Sequence, residues 1–361
     1  TQTRIPSREL SPSHPDFGER IIPALGFFVI PVLETPDGEI LQDTTDIIDY
    51  LEQRHPEPCF TPSTPLQQTV ANLICAFGSE GLNQPSMHYR WNFLEEHGDY
   101  IRTEFGRAMS PSRNREERSE AAASVMALMR DHLPRIGIYP ETIPAIEAAY
   151  LDLLDVLDEH FLHHPYLLSG RPSMADFGLM SGLYAHLSRD PVPSDLMKHR
   201  APNVFRWTER MNLANVDDGE FPDAGDDYLA DDAIPETMEP VLQLIFQDWG
   251  PELTAATEHY NKWVASDSGM AAGTLVSASG ERAVHPSLGT ISYSLRETTV
   301  QRTCAPQTLW HFDRAACLAR AIRGEAAVHW KTLLQRTGGQ SVMALEMVRS
   351  MRRQNNVLVL A

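Results

Sequence analysis

The chain has 361 residues, 42% of them hydrophobic and 22% charged, as in ordinary globular proteins with room for two domains. Its formal net charge of −19 argues against nucleic acid as a partner, because a surface of that sign repels phosphate backbones. The longest apolar run, 24–33, is about half of the ~20 residues that a membrane-spanning helix needs, so we expect no membrane contact. Four cysteines without a CxxC pair predict reduced thiols in a cytoplasmic protein.

The first 60 residues mix strand and turn signals. Residues 1–10 are consistent with a strand and the segment after it, and 5–23 carry four prolines without a helical pattern. An aromatic and β-branched run at 27–33, a turn at 35–38 and renewed alternation at 39–42 predict a β-hairpin. Residues 43–46 (Asp-Thr-Thr-Asp) then predict a helix start with capping side chains and early acids.

Long helices follow this region. Apolar residues at helical spacing predict helices over 66–91, 113–133 and 143–163. After a break at Gly170-Arg171-Pro172, Ser173 and Asp176 form a capping box that opens a further helix. That helix is apolar on nearly every side, so we expect it to be buried.

The last third of the chain begins with an acidic stretch. Ten carboxylates and no Lys or Arg lie between Asp217 and Glu239, which predicts a solvated loop rather than a calcium site, since the spacing fits no EF-hand. Beyond it the patterns predict further elements. They are a helix at 254–264, a hairpin of 290–295 and 299–302, and helices at 315–334 and 342–351.

Two segments resemble the cytosolic glutathione transferase superfamily, in a bacterial-type form with a long C-terminal extension. One runs from Ile30-Pro31-Val32-Leu33 through Asp37-Gly38 to 42–51, which begins Gln42-Asp43-Thr44-Thr45-Asp46; the other is 166–177. The resemblance implies an α+β fold with a thioredoxin-like first domain, an all-α second domain and a mixed, mainly helical extension. The expected boundaries are 1–58, 64–212 and 213–361.

The resemblance also implies a glutathione site formed by Ile30, Pro31, Asp43 and Thr44. A helix N-terminus holds a carboxylate well, Thr44 could add its hydroxyl, and Asp43 could accept from the ligand ammonium. A cis bond at Ile30-Pro31 would turn the Ile30 backbone towards the cysteinyl part of the ligand. The alternatives are that Thr44 only caps the helix and that Pro31 is an ordinary trans proline.

The hydroxyl or thiol that activates the glutathione sulfur in this family is not found in the sequence. A complete domain needs a βαβ unit of about 30 residues or more before the hairpin, and only 26 residues precede Phe27. We therefore expect the first βα unit to be missing, and a start at Thr1 rather than Met agrees with an omitted N-terminal stretch. The alternative is that the protein itself lacks this unit, which would leave the glutathione site half built. The catalytic residue is unknown, and Ser7, Ser11 and Ser13 are not candidates because they lie beyond the expected position.

Other candidate residues lie in the helical part. The resemblance implies a pocket for the second substrate at His88, Tyr89, Arg90 and Trp91, with a helix end and a buried Trp as the alternative. The cluster of Glu159, His160, His163 and His164 lacks a third partner segment, so we expect no metal site.

The resulting interpretation is a glutathione transferase, with glutathione as co-substrate and a small apolar or aromatic electrophile as the second substrate. The reaction subtype is not indicated. The resemblance also implies a homodimer, which the extension could block. The alternative is a non-catalytic glutathione-transferase-like binding or scaffold protein.

Overall fold

A computed structural model describes residues 5–213, 219–267 and 269–361. The N-terminal region contains a short β-hairpin followed by a helix. One turn of π-helix, Phe17–Ile21, lies before the hairpin. Its elements are α1 (Ile22–Leu25), β1 (Val32–Glu34), β2 (Ile40–Gln42) and α2 (Thr44–Arg54).

Two expectations for this region need correction. The segment 17–25 is helical although its prolines predicted otherwise; Pro23 is the second residue of α1, which continues directly from the π-turn. Residues 5–10 form no strand, and the rest of that expectation, 1–4, lies outside the described residues. The predicted hairpin is confirmed, although its first strand is only three residues long.

The middle of the chain is a helical domain. Helix α3 (Pro65–Ala76) continues through a π-turn at Phe77–Gly81, and two glycines let α8 (Met174–Gly182) cross it closely: a Cβ on Gly78 would lie 2.4 Å from the backbone of Gly178. The helices are α3 (Pro65–Ala76), α4 (Asn83–Trp91), α5 (Leu94–Met109), α6 (Arg115–Asp131), α7 (Ile143–His163), α8 (Met174–Gly182), α9 (Pro191–Arg200) and α10 (Pro202–Asn212).

The extension mixes helices with two small hairpins. Its helices are α11 (Met238–Leu244), α12 (Gly250–Ala265), α13 (Pro306–Ala321), α14 (Gly324–Thr337) and α15 (Gln340–Met343). Its strands are β3 (Thr290–Leu295), β4 (Thr298–Thr303), β5 (Met351–Gln354) and β6 (Val357–Leu360).

The helix predicted at 342–351 is wrong. Only its first two residues are helical, in α15, and β5 begins at its last residue. The turn between β5 and β6 lies beyond it, and there Asn355 and Asn356 have φ angles of 49° and 62°. Asparagine tolerates this left-handed conformation, and two such residues in a row make a tight hairpin turn. The helix predicted at 315–334 is two helices, α13 and α14, separated at 322–323.

The acidic loop also differs from the prediction in one respect. Asp232 accepts hydrogen bonds from the backbone N–H groups of Leu66 and Gln67, each at 2.9 Å. It therefore caps the first turn of α3, where a carboxylate satisfies N–H groups that lack helical partners. At least one carboxylate of the loop has a structural role.

The extension shares a hydrophobic core with the helical domain. Buried side chains of α3 and α8 belong to the same cluster as Trp249, Phe312 and Trp330 of the extension. A second cluster joins α5 and α6 to α12 and the hairpin of β3 and β4. Burial of this kind is the main stabilising term in folding, so the extension is part of the packed structure.

Candidate functional site at the start of helix α2

The end of the β1–β2 hairpin places the four predicted ligand residues together. Val32 pairs with Gln42 in the antiparallel register, so one step further Pro31 lies opposite Asp43. Neighbouring strands lie about 4.8 Å apart, which brings the Ile30-Pro31 pair beside the first turn of α2. The Ile30-Pro31 bond is cis, and Ile30 is 56% exposed.

Thr44 and Asp43 differ in accessibility. Thr44 is exposed, whereas Asp43 is only 7% exposed and caps the helix, its Oδ1 accepting from the Thr45 N–H at 2.9 Å. Asp43 has φ 86°, in the left-handed region that few residues other than glycine and asparagine adopt. The start of α2 thus presents Thr44 outward and turns the Asp43 carboxylate inward.

Side chains of the extension surround the Asp43 carboxylate. Gln307 of α13 donates its amide N–H to Oδ2, and Arg353 of β5 donates to the same oxygen at 3.0 Å. Nε2 of His311, one turn beyond Gln307, lies 3.6 Å from it. These contacts join positions more than 260 residues apart in the chain, and we call Gln307, His311 and Arg353 the extension triad.

Arg353 holds several groups of this region at once. It donates to the side-chain oxygen of Gln42 at 2.9 Å, and its Nε lies 2.9 Å from Oδ2 of Asp46, an ion-pair contact without hydrogen-bond alignment. Its guanidinium lies 4.7 Å from the ring centre of Trp310, a cation–π distance. Next along the chain, Asn356 accepts from the Gln42 N–H at 3.1 Å. The β5–β6 hairpin is therefore fastened to β2 and α2.

The electrostatics of the site follow from this enclosure. Burial opposes ionisation of Asp43, but His311, Arg353 and the Thr45 N–H outweigh it and hold the pKa of that carboxyl well below its usual range. Glu80, in the π-turn after α3, lies 3.9 Å from His311 and accepts from Thr308 at 2.8 Å. Burial raises the pKa of Glu80, against the effects of His311 and Thr308.

The four residues predicted to line the second-substrate pocket make internal contacts instead. His88 lies 2.9 Å from Glu147, and Arg90 forms a two-pronged ion pair with Asp190. Tyr89 and Trp91 are both buried. Their pocket role stays a prediction.

An apolar cavity lies near these residues, between the helical domain and the extension. It offers about 50 Å³ to a water-sized sphere. Two buried donors in its wall, the Tyr150 hydroxyl and the Trp249 N–H, have no hydrogen-bond partner among the described residues. Tyr89 packs on Tyr150 with 5.4 Å between ring centres, so Tyr89 lies directly behind this wall.

The cysteines and the histidine cluster have no evident role in chemistry. Burial raises the pKa of all four thiols, to about 12 for Cys75 and Cys304, so none is a ready thiolate at neutral pH. Across 5–213, 219–267 and 269–361, no group of three or more His, Cys, Asp or Glu side chains is arranged to hold a metal ion. In the same residues no helix is both long and apolar enough to cross a membrane.

Comparison with known proteins gives two family matches. The glutathione S-transferase N-terminal domain matches residues 10–59, and the glutathione S-transferase C-terminal domain matches residues 140–210. The first match contains the site at the start of α2, and the second contains the capping-box helix α8. Residues 10–59 and 140–210 therefore carry the two domains of the glutathione S-transferase superfamily, and the fold is α+β, thioredoxin-like at the start and helical beyond. Neither a curated protein nor a solved structure gives a significant match.

The extension triad, Glu80 and Asn356 were all missed by sequence reasoning. Their contacts with the start of α2 are long-range, and no local pattern encodes such a pairing. One usable signal was present: two consecutive asparagines directly before the strand-favouring run 357–360 (Val-Leu-Val-Leu) are typical of a hairpin turn.

Proposed function

We propose that this protein binds glutathione at the start of α2. The observation that carries the proposal is the hairpin register, which brings the exposed Thr44 and the cis Ile30-Pro31 pair to one edge. This edge lies inside the segment that matches the family's N-terminal domain. The α-carboxylate of the γ-glutamyl group would accept hydrogen bonds from backbone N–H groups at the start of α2 and from the hydroxyl of Thr44. The helix dipole favours negative charge at this position.

The proposed reaction is attack by the glutathione thiolate on a small apolar or aromatic electrophile. Because the four cysteines of the chain have raised pKa values, the nucleophile in this scheme is the sulfur of glutathione itself. The apolar cavity beside α4 is the proposed recess for part of the electrophile, with Tyr89 behind its wall, and His88, Arg90 and Trp91 keep their proposed role in the second-substrate pocket. No residue is assigned to thiol activation.

Calorimetric titration of glutathione tests the binding step. Thr44→Ala should weaken binding about tenfold or more, since it removes a hydrogen bond to a charged group. Thr103→Ala, at an exposed threonine on α5, is the matched control and should bind as the wild type does. Absence of wild-type binding at millimolar glutathione would reject the proposal, and equal affinity of the two variants would reject the role of Thr44.

The second candidate is a non-catalytic binding or scaffold protein. It is favoured by the extension, which packs into the core of the helical domain and encloses Asp43. Turnover separates the two candidates: conjugation of glutathione to chlorodinitrobenzene above the uncatalysed rate supports the enzyme. Glutathione binding without turnover of a panel of electrophiles supports the scaffold.

We further propose a cytoplasmic protein that assembles as a homodimer. The four unpaired cysteines, one of them exposed, fit a reducing compartment. Light scattering of the purified protein would test the dimer, and a monomer would indicate that the extension occupies the surface that family members use to associate.

A further inference from the structure

The Asp43 carboxylate has its hydrogen-bonding capacity largely filled by the chain itself. One oxygen caps the helix through Thr45, and the other accepts from both Gln307 and Arg353. A carboxylate offers about four acceptor positions, and three are used by these contacts. At 7% exposure, little of the group remains for a ligand to reach.

The charge around Asp43 also opposes a cationic ligand. The guanidinium of Arg353 lies 3.0 Å from the carboxylate, and it also makes an ion-pair contact with Asp46 and a cation–π contact with Trp310. A ligand ammonium at Asp43 would displace Gln307 and then lie close to this cation. Like charges at such a distance repel strongly where water is scarce. The side-chain exposure of Arg353 is only 10%, so screening is limited.

The part of the site that would bind the ligand carboxylate is accessible, unlike the Asp43 carboxylate. Thr44 is exposed, and the positive end of the α2 dipole points at it. An anionic group can therefore bind there without disturbing the extension triad. The two charged groups at the γ-glutamyl end of glutathione meet very different surroundings.

We propose that the extension triad sets the specificity of this site, so that it recognises the γ-glutamyl carboxylate and is indifferent to the α-amino group. The inference rests on the proposed glutathione site and narrows its ligand class. The ligands are thiols carrying a carboxylate at the end of a glutaryl-length acyl chain, with or without an ammonium on that chain. Gln307 and Arg353 are specificity-determining residues that act through Asp43.

A ligand pair differing in one group provides the test. Glutaryl-cysteinylglycine is glutathione without its α-amino group, and both are titrated calorimetrically into the same protein. In the wild type the two dissociation constants should agree within about threefold. A preference of tenfold or more for glutathione would overturn the proposal, because an ammonium would then have its own partner.

Variants of the extension triad show whether Gln307 and Arg353 are the reason that the site does not distinguish ligands with and without the α-amino group. In Arg353→Met the Asp43 carboxylate loses its fixed cation, and glutathione should gain about tenfold over the analogue. Gln307→Met should change the ratio of the two dissociation constants in the same direction by a smaller factor. If circular dichroism shows that Arg353→Met does not fold, Gln307→Met provides the test instead. Arg352→Met, at the exposed neighbour of Arg353 on β5, should keep the wild-type ratio.

An unchanged ratio in folded Arg353→Met or Gln307→Met would overturn the role of the extension triad while leaving glutathione binding in place. Failure of every protein to bind glutathione would instead reject the proposed function, and this inference with it. The ratio separates the two cases because it is defined only where glutathione binds. Any general loss of affinity in a variant affects both ligands and cancels.

Discussion

Glu252 of α12 and Arg302 of β4 form an ion pair that is almost completely removed from water. Their side chains are 6% and 4% exposed, with 2.9 Å between Oε1 and the guanidinium. The Tyr293 hydroxyl donates to the same carboxylate at 3.4 Å. Burial raises the pKa of Glu252, and Arg302 opposes that shift by favouring the carboxylate.

Removing one partner of this pair should destabilise the protein strongly. In Glu252→Gln the Arg302 charge stays buried without its counter-ion, so we expect the free energy of unfolding to fall by about 3–5 kcal/mol. Urea denaturation followed by circular dichroism at neutral pH measures it. Asp155→Asn breaks the exposed pair with Arg200 and should cost less than about 1 kcal/mol. Equal losses in the two variants would contradict the prediction.

Residue identity alone predicted part of the candidate site. The Asp-Thr-Thr-Asp run at 43–46 marked the start of α2, and the structure places that start at Thr44 with Asp43 as its cap. The surroundings of Asp43 could not be predicted, because they come from α13 and β5, and local patterns carry no information on long-range contacts. The sequence therefore indicated the groups of the site but not which of them are accessible.

Helix α8 shows an element whose start is fixed by a single carboxylate. Asp176 accepts from the Ser173 N–H at 2.8 Å and from the Ser173 hydroxyl at 3.0 Å, completing the predicted capping box. It also accepts from the Leu167 N–H and the Trp207 N–H, both at 3.1 Å. The cap thereby ties α8 to α10 and to the segment before it.

Asp176→Asn should therefore cost more than the loss of an ordinary cap. The amide replaces one acceptor oxygen by a donor, so buried N–H groups face another N–H, and we expect a loss of about 3 kcal/mol or more. Asn114→Ala, at the exposed cap of α6, is the comparison and should cost about 1 kcal/mol. Denaturant unfolding of both variants measures the difference; similar midpoints would show that the additional contacts of Asp176 contribute nothing.

Elements with strong local signals were predicted, and those defined by packing were not. The hairpin of β3 and β4 and the capping box were confirmed because turn residues and caps act within a few positions. The short helical segment at 17–25 was missed because its prolines obscured the pattern. The helix predicted at 342–351 failed because its apolar spacing continued across the end of α15.

At the scale of the molecule, the extension and the helical domain behave as one packed body. Helix α13 lies along α3, and the two share a cluster that includes Leu73, Phe312 and Trp330. The predicted boundaries at 58, 64 and 212 stay predictions. The frequent aromatic residues of the extension are consistent with its packing on the helical domain, but no local pattern indicates that it returns to α2.

His160 joins these two parts and makes their connection sensitive to acid. It lies on α7, and its ring accepts from the Thr237 hydroxyl through Nδ1 at 2.8 Å while Nε2–H donates to the Tyr166 carbonyl at 3.2 Å. Burial lowers the pKa of His160 from its ordinary value of 6.5 to about 3, and the positive charges of His164 and His163 add to this effect. The folded state thus holds this ring neutral, whereas the unfolded chain protonates it below about pH 6.5.

The sign of the resulting pH dependence follows from proton uptake. Between pH 6.5 and 3 the unfolded state binds one more proton at His160, so acid destabilises the fold by about 1.4 kcal/mol per pH unit over that window. From pH 7 to pH 5 the contribution is about 2 kcal/mol. His160→Asn should be less stable at pH 7 but should lose less stability on acidification, by that amount, in urea denaturation. His329→Asn, at an exposed position of α14, should keep the wild-type pH dependence. Parallel curves for wild type and His160→Asn would exclude His160 as the acid-sensitive contact between α7 and the extension.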